Sequence, residues 1–267
     1  MLVTYVSVAV FLSVAMAGGW AMQWVTGNAG WVDAVWSFAL GIGGVVLALI
    51  PGLPDPTLRQ IVVALLIAAW SLRLGLHIAE RSARGPEDAR YAALRRDWGA
   101  KFQVRLFIFL QIQAAAAAFL ALSMLLAAHN PAPFPSPLDL AAIAVLAVSI
   151  AGEARADAQM RRFRTNPANK GQVCDTGLWS WSRHPNYFFE WLGWVAYPLL
   201  AIDGGGWGWL ALTGPAFMYW LLVYVSGIPL LEQQMLASRG DRFRAYQSRV
   251  SAFFPLPPAR KPPRKPG

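Results

Sequence analysis

The sequence predicts an all-α, polytopic integral membrane protein with seven transmembrane helices, its N-terminus outside and its C-terminus in the cytoplasm. Three observations support this prediction. Of the 267 residues, 56% are hydrophobic and only 14% are charged, whereas an ordinary globular chain has about 25% charged residues. Seven apolar runs approach the roughly 20 residues that a membrane-spanning helix needs. Lys and Arg are concentrated in alternate segments between these runs, as the positive-inside rule requires.

Turn-forming residues separate the apolar runs, as at Thr26-Gly27-Asn28 and Asp203-Gly204-Gly205-Gly206. The first run lacks the basic start and the cleavage site of a signal peptide, so we interpret it as a membrane helix. The sixth run is the shortest and is expected to begin in the membrane interface. The predicted spans are Leu2–Val25, Trp31–Ile50, Leu58–Ala79, Val104–Ala128, Leu138–Ala158, Tyr187–Ile202 and Trp207–Leu230.

The net charge of +9 would suggest a nucleic-acid partner in a soluble protein. Here the charges lie between and after the apolar runs, so we interpret them as a cytoplasmic excess and expect no nucleic acid. Residues 1–256 form one predicted membrane domain, and residues 257–267 a basic, Pro-rich, disordered tail. The basic segments are Arg81–Arg105, Arg161–Arg183 and the tail from Arg239; the segments without Lys or Arg are Pro51–Thr57, Ala128–Pro137 and Asp203–Gly206.

Cysteine and histidine are too few for a disulfide or a metal site. Cys174 is the single cysteine, which excludes an internal disulfide. His77, His129 and His184 are far apart in sequence, and His129 falls in a segment predicted to lie outside. We therefore expect no metal centre, because metal ligands cluster.

The region from Glu153 to Lys170 combines charge with amide groups. Glu153, Asp157, Arg161 and Arg164 are spaced i, i+4, i+8 and i+11, which places them on one stripe of a helix. The stripe is either a solvated helix end with internal ion pairs or a polar wall that faces a charged ligand. The loop that follows has two cations and several amide donors, as a phosphate-binding loop would, but it lacks the Walker spacing and the Rossmann context.

The next segment, Gly177–Glu190, ends in a motif around a predicted helix start. Pro185 suits the first turn of a helix. Asn186 and Glu190 are then i, i+4 and share a face, with Tyr187 adjacent. A carboxylate in such an apolar helix needs a partner. His184, taken alone, is equally consistent with a structural role and with a functional one.

Three further regions carry polar groups. Asp33 is the single acid in the first two predicted spans, which makes it a functional candidate or a neutralising partner for Arg73. Gln111 and Gln113 are of the type that hydrogen-bonds membrane helices together. The loop Arg84–Tyr91 offers a second basic, aromatic site. The C-terminal part from Glu232 to Tyr246 is either an interfacial helix or a cofactor lid.

Together these motifs resemble the steroid 5α-reductase family, and most closely its bacterial branch of membrane proteins. The resemblance is carried by Gly177-Leu178-Trp179, Arg183-His184-Pro185-Asn186-Tyr187 with Glu190, Glu232, and the Gly240, Tyr246 and Pro255 ending; Trp31-Val32-Asp33-Ala34-Val35-Trp36 and Glu87-Asp88-Ala89-Arg90-Tyr91 fit it too. It implies a bacterial inner-membrane reductase in which NADPH reduces a carbon–carbon double bond conjugated to the ketone of a 3-oxo-Δ4 steroid or a similar enone lipid.

The resemblance also assigns site residues. Asp157 and Arg164 match the family's cofactor-binding acid and arginine, Asn186 and Glu190 match residues near the nicotinamide, and Arg84 is similar to a cofactor arginine. The full expected cofactor set adds Tyr91, Arg161, Asn166, Lys170, Ser182, Arg183, His184, Glu232 and Tyr246. The expected catalytic residues are Asp33, Glu190 and Tyr187, and the expected substrate contacts are Trp36, Trp70 and Arg73.

The chain also departs from the family pattern. The animal members have a Gln-Glu pair and a Tyr that polarise the steroid ketone, and this chain has no such pair early in its sequence. Asp33 is our substitute, with Trp70 near the place of the Tyr. A buried carboxyl has a raised pKa and can donate a proton to the enolate that hydride transfer creates. Glu153 stands where the animal pattern has Asn.

Two other functions remain open. Membrane methyltransferases that use S-adenosylmethionine share the Arg-His-Pro and late Glu and Tyr pattern, but Asn186-Tyr187 and the basic stripe favour the reductase, since NADPH carries phosphate and the methyl donor carries none. A lipid-binding or transport protein would leave the cytoplasmic Arg, Asn and Glu without a role. The expected partners are a lipophilic, steroid-like small molecule and membrane lipid, and the protein is expected to be a monomer.

Overall fold

The structure, a computed structural model, describes residues 1–50, 53–85 and 87–259. These residues form α-helices joined by short 3₁₀ turns, without any β-strand in the described ranges beyond an isolated bridge between Ser182 and Ser251. The all-α prediction is confirmed. Residues 260–267 of the predicted disordered tail lie outside the described residues. The helices are α1 (Leu2–Thr26), α2 (Trp31–Leu49), α3 (Leu58–Arg84), α4 (Ala89–Trp98), α5 (Phe102–Ala128), α6 (Pro137–Thr165), α7 (Pro185–Ala201), α8 (Thr213–Trp220), α9 (Ile228–Arg239) and α10 (Asp241–Gln247).

Among the described residues, six helical stretches are long and apolar enough to cross a membrane. Four of them contain the first, third, fourth and fifth predicted spans and continue beyond them, and Trp31–Leu49 covers the second predicted span except for its last residue, Ile50. The sixth predicted span corresponds to α7, whose 17 residues fall short of the length of about 20 residues that a membrane helix needs. The six stretches are Leu2–Thr26, Trp31–Leu49, Leu58–Arg84, Arg90–Ala128, Pro137–Thr165 and Gly206–Arg239.

The seventh predicted span is helical but interrupted. A 3₁₀ segment precedes α8, and a π-helical turn at Leu221–Val225 separates α8 from α9. In this turn the backbone N–H groups of Ser226 and Gly227 both donate to the carbonyl of Leu221, at 2.9 and 3.3 Å. Pro229 then lies in the first turn of α9, where its missing N–H costs nothing. The hydropathy of the segment does not reveal this break, because the interruption resides in the backbone hydrogen bonds.

The described chain divides into two compact units. Unit 1 comprises Met1–Leu146 and Trp194–Phe217. Glycines allow its helices to approach closely. A Cβ at Gly41 would lie 2.0 Å from the hydroxyl of Ser71, and one at Gly75 would lie 2.5 Å from the ring of Phe38. Helices α1 and α5 are joined by the Ser13 hydroxyl, which donates to Gln111 Oε1 at 2.6 Å, so the predicted role of Gln111 in joining helices is confirmed.

Unit 1 also contains a buried ion pair that was not predicted from the sequence. Arg59, in the first turn of α3, donates to both carboxylate oxygens of Asp139 at 2.6 and 3.0 Å and to the carbonyl of Leu200 at 2.8 Å. Both charged side chains are almost fully buried. Thr57, two residues before Arg59, is the N-cap of α3 and forms a capping box with Gln60. The capping box fixes the start of the helix.

Unit 2 comprises Ala147–Gly193 and Met218–Gly267. Its part of α6 packs against the first half of α7. The Ser149 hydroxyl donates to the carbonyl of Phe189 at 2.6 Å, and a Cβ at Gly152 would lie 2.3 Å from the Phe189 ring. The phosphate-binding loop and the motif around Pro185 both belong to this unit.

Candidate functional site

The carboxylate of Glu232, on α9, receives hydrogen bonds from three side chains. Arg183 donates to both oxygens at 2.7 and 3.2 Å. Gln247 donates at 2.7 Å, and the ring Nε2 of His184 lies 3.1 Å from the carboxylate. We call these four residues the Glu232 clamp. A bidentate arginine with further donors on the same carboxylate is a strong, geometrically specific arrangement.

The segment after α10 completes the clamp. The Arg183 backbone N–H donates to the carbonyl of Ser251 at 2.8 Å, and its guanidinium donates to the carbonyl of Val250 at 2.5 Å. The Ser182 hydroxyl donates to the carbonyl of Phe253 at 2.8 Å. These bonds explain why Ser182 and His184 are buried. They hold the last described part of the chain against the start of α7.

Burial determines the protonation of His184. It lowers the pKa of the imidazole below its ordinary value, although the contact with Glu232 acts in the opposite direction. Since Nε2 faces a carboxylate, the neutral ring carries its proton on Nε2. The ring also stacks on that of Tyr187, with centroids 5.7 Å apart. His184 therefore connects the clamp to the first turn of α7.

The structure thus brings together five predicted cofactor residues through contacts within the protein. Four are Ser182, Arg183, His184 and Glu232. The fifth, Tyr246, is buried, and its hydroxyl donates to the carbonyl of Trp179. Burial raises the pKa of this phenol. Their role as cofactor contacts stays a prediction.

Two buried carboxyl side chains lie near the contact between α6 and α7. Glu153 is 5% exposed and Glu190 is 7% exposed. Glu153 lies one turn after Ser149 on α6, and Glu190 follows Phe189 on α7. The Ser149 hydroxyl and the Phe189 carbonyl form a hydrogen bond between the two helices. Asn186, which was expected to share a face with Glu190, is half-buried in the first turn of α7.

A cleft of about 360 Å³ opens at the end of α6. It brings together Arg164, Asn166 and Lys170, three of the predicted cofactor residues, and adds Arg239 from the end of α9. We call it the basic cleft. Asp157 and Arg161 do not line it. The lining residues are Phe163, Arg164, Thr165, Asn166, Pro167, Asn169, Lys170, Gly171, Gln172 and Arg239.

A second cleft, of about 530 Å³, shares Gln172 with the first. Its charge is mixed, because Arg242 and Arg249 line it together with Asp175. Arg249 pairs with Asp175 at 3.3 Å, and Arg242 donates to the carbonyl of Gly171 at 3.1 Å. The second cleft was not predicted from the sequence.

In unit 1, Asp33 accepts hydrogen bonds on both carboxylate oxygens. Arg90 donates to Oδ2 at 2.5 Å, and the hydroxyl of Tyr91 donates to Oδ1 at 2.7 Å. Arg90 also pairs with Asp88, the N-cap of α4. Burial acts to raise the pKa of Asp88, but Arg90 and Arg81 more than offset it and hold the pKa below its usual value. Arg90 was not among the predicted site residues, although it stands in a loop that the sequence analysis singled out.

The remaining predicted residues of unit 1 are dispersed. The indole N–H of Trp36 donates to the carbonyl of Gln113 at 3.2 Å, and the ring of Trp70 meets that of Trp194 edge-on. Arg84 is exposed and pairs with Glu80 at 2.6 Å. Arg73 is half-buried within α3.

Long apolar helices that bear polar clusters at their ends define a polytopic α-helical membrane protein. The chain belongs to the DUF1295 family, described as proteins of unknown function, which it matches over residues 19–250. A stretch of 87 residues, 30% of this chain, is 32% identical to an uncharacterised protein of Schizosaccharomyces pombe and covers 23% of that relative. No solved structure matches the chain significantly.

Proposed function

We propose that this protein is an NADPH-dependent reductase that acts on the conjugated double bond of a 3-oxo-Δ4 steroid or a similar enone lipid. The observation that carries the proposal is the basic cleft. Arg164, which the resemblance assigns to the cofactor, lines this cleft together with Asn166 and Lys170 of the predicted phosphate-binding loop. The cleft therefore supports the link between one residue of the resemblance and the phosphate-binding chemistry expected of the loop.

The chemistry of the cleft fits the phosphate groups of a dinucleotide. Its lining contains three cations and no carboxylate, and Arg and Lys are the usual partners of phosphate. Its volume of about 360 Å³ lies within the range of small-molecule sites. S-adenosylmethionine has no phosphate, so these cations favour the reductase over a methyltransferase. Arg164 and Lys170 would hold the phosphates, with Asn166 as a further polar contact.

The bound cofactor supplies a hydride for the β-carbon of the enone. The enolate oxygen that then develops needs a hydrogen-bond donor, and the α-carbon must take up a proton to complete the reduction. We assign the donor role to Asp33 in its protonated form, with Arg90 and Tyr91, which donate to its two oxygens, as positioning residues, and we take water as the source of the proton for the α-carbon. Glu190 and Tyr187 remain the proposed catalytic groups near the nicotinamide, and Trp36, Trp70 and Arg73 the proposed substrate contacts.

The proposed membrane arrangement has seven spans, with α7 as the sixth, the N-terminus outside and the C-terminus in the cytoplasm. The alternation of basic and non-basic segments along the chain supports it. In a bacterial inner membrane the basic cleft then meets cytoplasmic NADPH, while the lipophilic substrate arrives from the bilayer.

Ligand-induced stabilisation tests the proposal. We expect NADPH to raise the unfolding temperature of the full chain in detergent, and S-adenosylmethionine to leave it unchanged. A ligand at about 100 times its Kd adds about 2.7 kcal/mol to the stability of the folded state. Turnover is then followed as NADPH oxidation with a 3-oxo-Δ4 steroid. Stabilisation by S-adenosylmethionine alone would reject the reductase in favour of a methyltransferase.

A further inference from the structure

We propose that Arg239 is the third cation of a phosphate-binding site in the basic cleft, together with Arg164 and Lys170. This inference deepens the proposed function and rests on it only for the identity of the ligand as a nucleotide. Arg239 is distant in sequence from the two other cations and was not expected to take part in the site. The fold brings the end of α9 to the loop after α6.

The contacts of Arg239 leave its charge uncompensated. Its Nε donates to the carbonyl of Gln172 at 3.3 Å and one Nη donates to the carbonyl of Ser238 at 3.4 Å, both long bonds to neutral acceptors. Within the described part of the chain, Arg239 forms no ion pair. By contrast, the guanidinium of Arg183 donates hydrogen bonds to Glu232 and to two backbone carbonyls.

Each cation alone has an ordinary structural explanation. Basic residues favour the last turn of a helix because they interact with the negative end of its dipole, and Arg164 and Arg239 both stand there. That explanation does not account for three cations in one cleft whose lining contains no carboxylate. Like charges repel at short range, and a phosphate group relieves the repulsion while it accepts several hydrogen bonds. The geometry therefore favours a phosphate ligand.

The shared chemistry is a phosphate group, and it has two sources in a membrane protein. One is a soluble nucleotide, as the proposed function requires, and the other is the headgroup of an anionic lipid. Three probes separate them: NADPH, inorganic pyrophosphate, and nanodiscs with or without phosphatidylglycerol. The first two are titrated onto the full chain in detergent without anionic lipid.

Arg239→Gln tests the site, and Arg244→Gln is the matched control. Arg244 follows five residues later, is exposed and lines neither cleft. We expect Arg239→Gln to weaken the binding of NADPH and pyrophosphate about 10-fold, the usual effect of one charge-assisted hydrogen bond. We expect Arg244→Gln to bind within about twofold of the wild type, and both variants to keep the wild-type unfolding temperature.

The outcomes separate this site from the proposed function. Unchanged binding of all three probes in Arg239→Gln, or no binding of any probe by the wild type, would overturn the site. NADPH binding that persists in Arg239→Gln, with pyrophosphate binding also intact, overturns the site but leaves the reductase proposal standing. Pyrophosphate or phosphatidylglycerol binding that depends on Arg239, without NADPH binding, supports the site and rejects the reductase.

Discussion

The Glu232 clamp and the basic cleft share helix α9, yet they hold arginine in opposite ways. In the clamp, Arg183 is bound by Glu232 and by two backbone carbonyls. In the cleft, Arg239 makes only long bonds to carbonyls. The clamp is a closed polar network that needs no ligand to satisfy it, whereas Arg239 has a positive charge that a ligand can satisfy.

This difference shows that a motif that is distinctive in the sequence need not have side chains that a ligand can reach. The Ser182–Tyr187 segment was the most distinctive in the sequence, and the side chains of Ser182, Arg183 and His184 are bonded to the C-terminal part of the chain. The loop around Lys170 was a weaker signal, and it lines a cleft. We therefore expect mutations in the clamp to act mainly on stability and mutations in the cleft to act mainly on ligand binding.

The largest effect is expected for Glu232→Ala. The change leaves the guanidinium of Arg183 and the ring of His184 without their acceptor in a site where both are mostly buried. Removal of one partner from a buried ion pair costs about 3 kcal/mol or more. The unfolding temperature of the detergent-solubilised protein should fall clearly.

Asp175→Ala is the matched control for Glu232→Ala. It breaks the pair with Arg249 in the same unit, where the Asp175 side chain is 42% exposed, and exposed pairs contribute about 0.5 kcal/mol. Equal, small shifts for the two variants would show that the clamp does not stabilise the fold.

An intermediate effect is expected for Lys170→Ala. The change removes one cation from the basic cleft and leaves the clamp intact, so NADPH should bind about 10-fold more weakly while the unfolding temperature of the free protein stays the same. Arg162→Ala is the control, since Arg162 is an exposed cation of α6 outside the cleft. If both variants lose affinity equally, the general positive charge of this face, rather than the cleft, attracts the cofactor.

The smallest effect on the unfolding temperature is expected when the pH is lowered. Because burial lowers the pKa of His184, the unfolded chain takes up a proton at this residue before the folded protein does. Stability from this residue is therefore fully present above the ordinary histidine pKa of about 6.5 and is lost as the pH falls below it. His184→Gln should flatten the decline in unfolding temperature below that pH relative to the wild type. An unchanged slope in His184→Gln would show that the clamp tolerates protonation.

Local sequence patterns predicted the helices well, because apolar runs and turn residues act over a few positions. Four of the first five predicted spans lie within long helices, the second exceeds α2 by the single residue Ile50, and α7 begins only two residues before the sixth span. The π-helical turn after α8 was not predictable, since it depends on which N–H groups reach the carbonyl of Leu221. In the same way, Arg164 and Lys170 were found from their own loop, whereas Arg239 was missed because only the tertiary fold brings it there.

The hydrogen bond between Arg183 and Ser251 joins the residue two positions before α7 to a residue near the end of the described chain. A ribosome that has just completed α7 has placed Arg183 at a position whose acceptors, Glu232 and the carbonyl of Val250, do not yet exist. This part of the fold therefore waits for translation to pass residue 251. A chain that stops before Glu232 keeps its earlier apolar helices but lacks the acceptors that hold the Arg183 guanidinium in place.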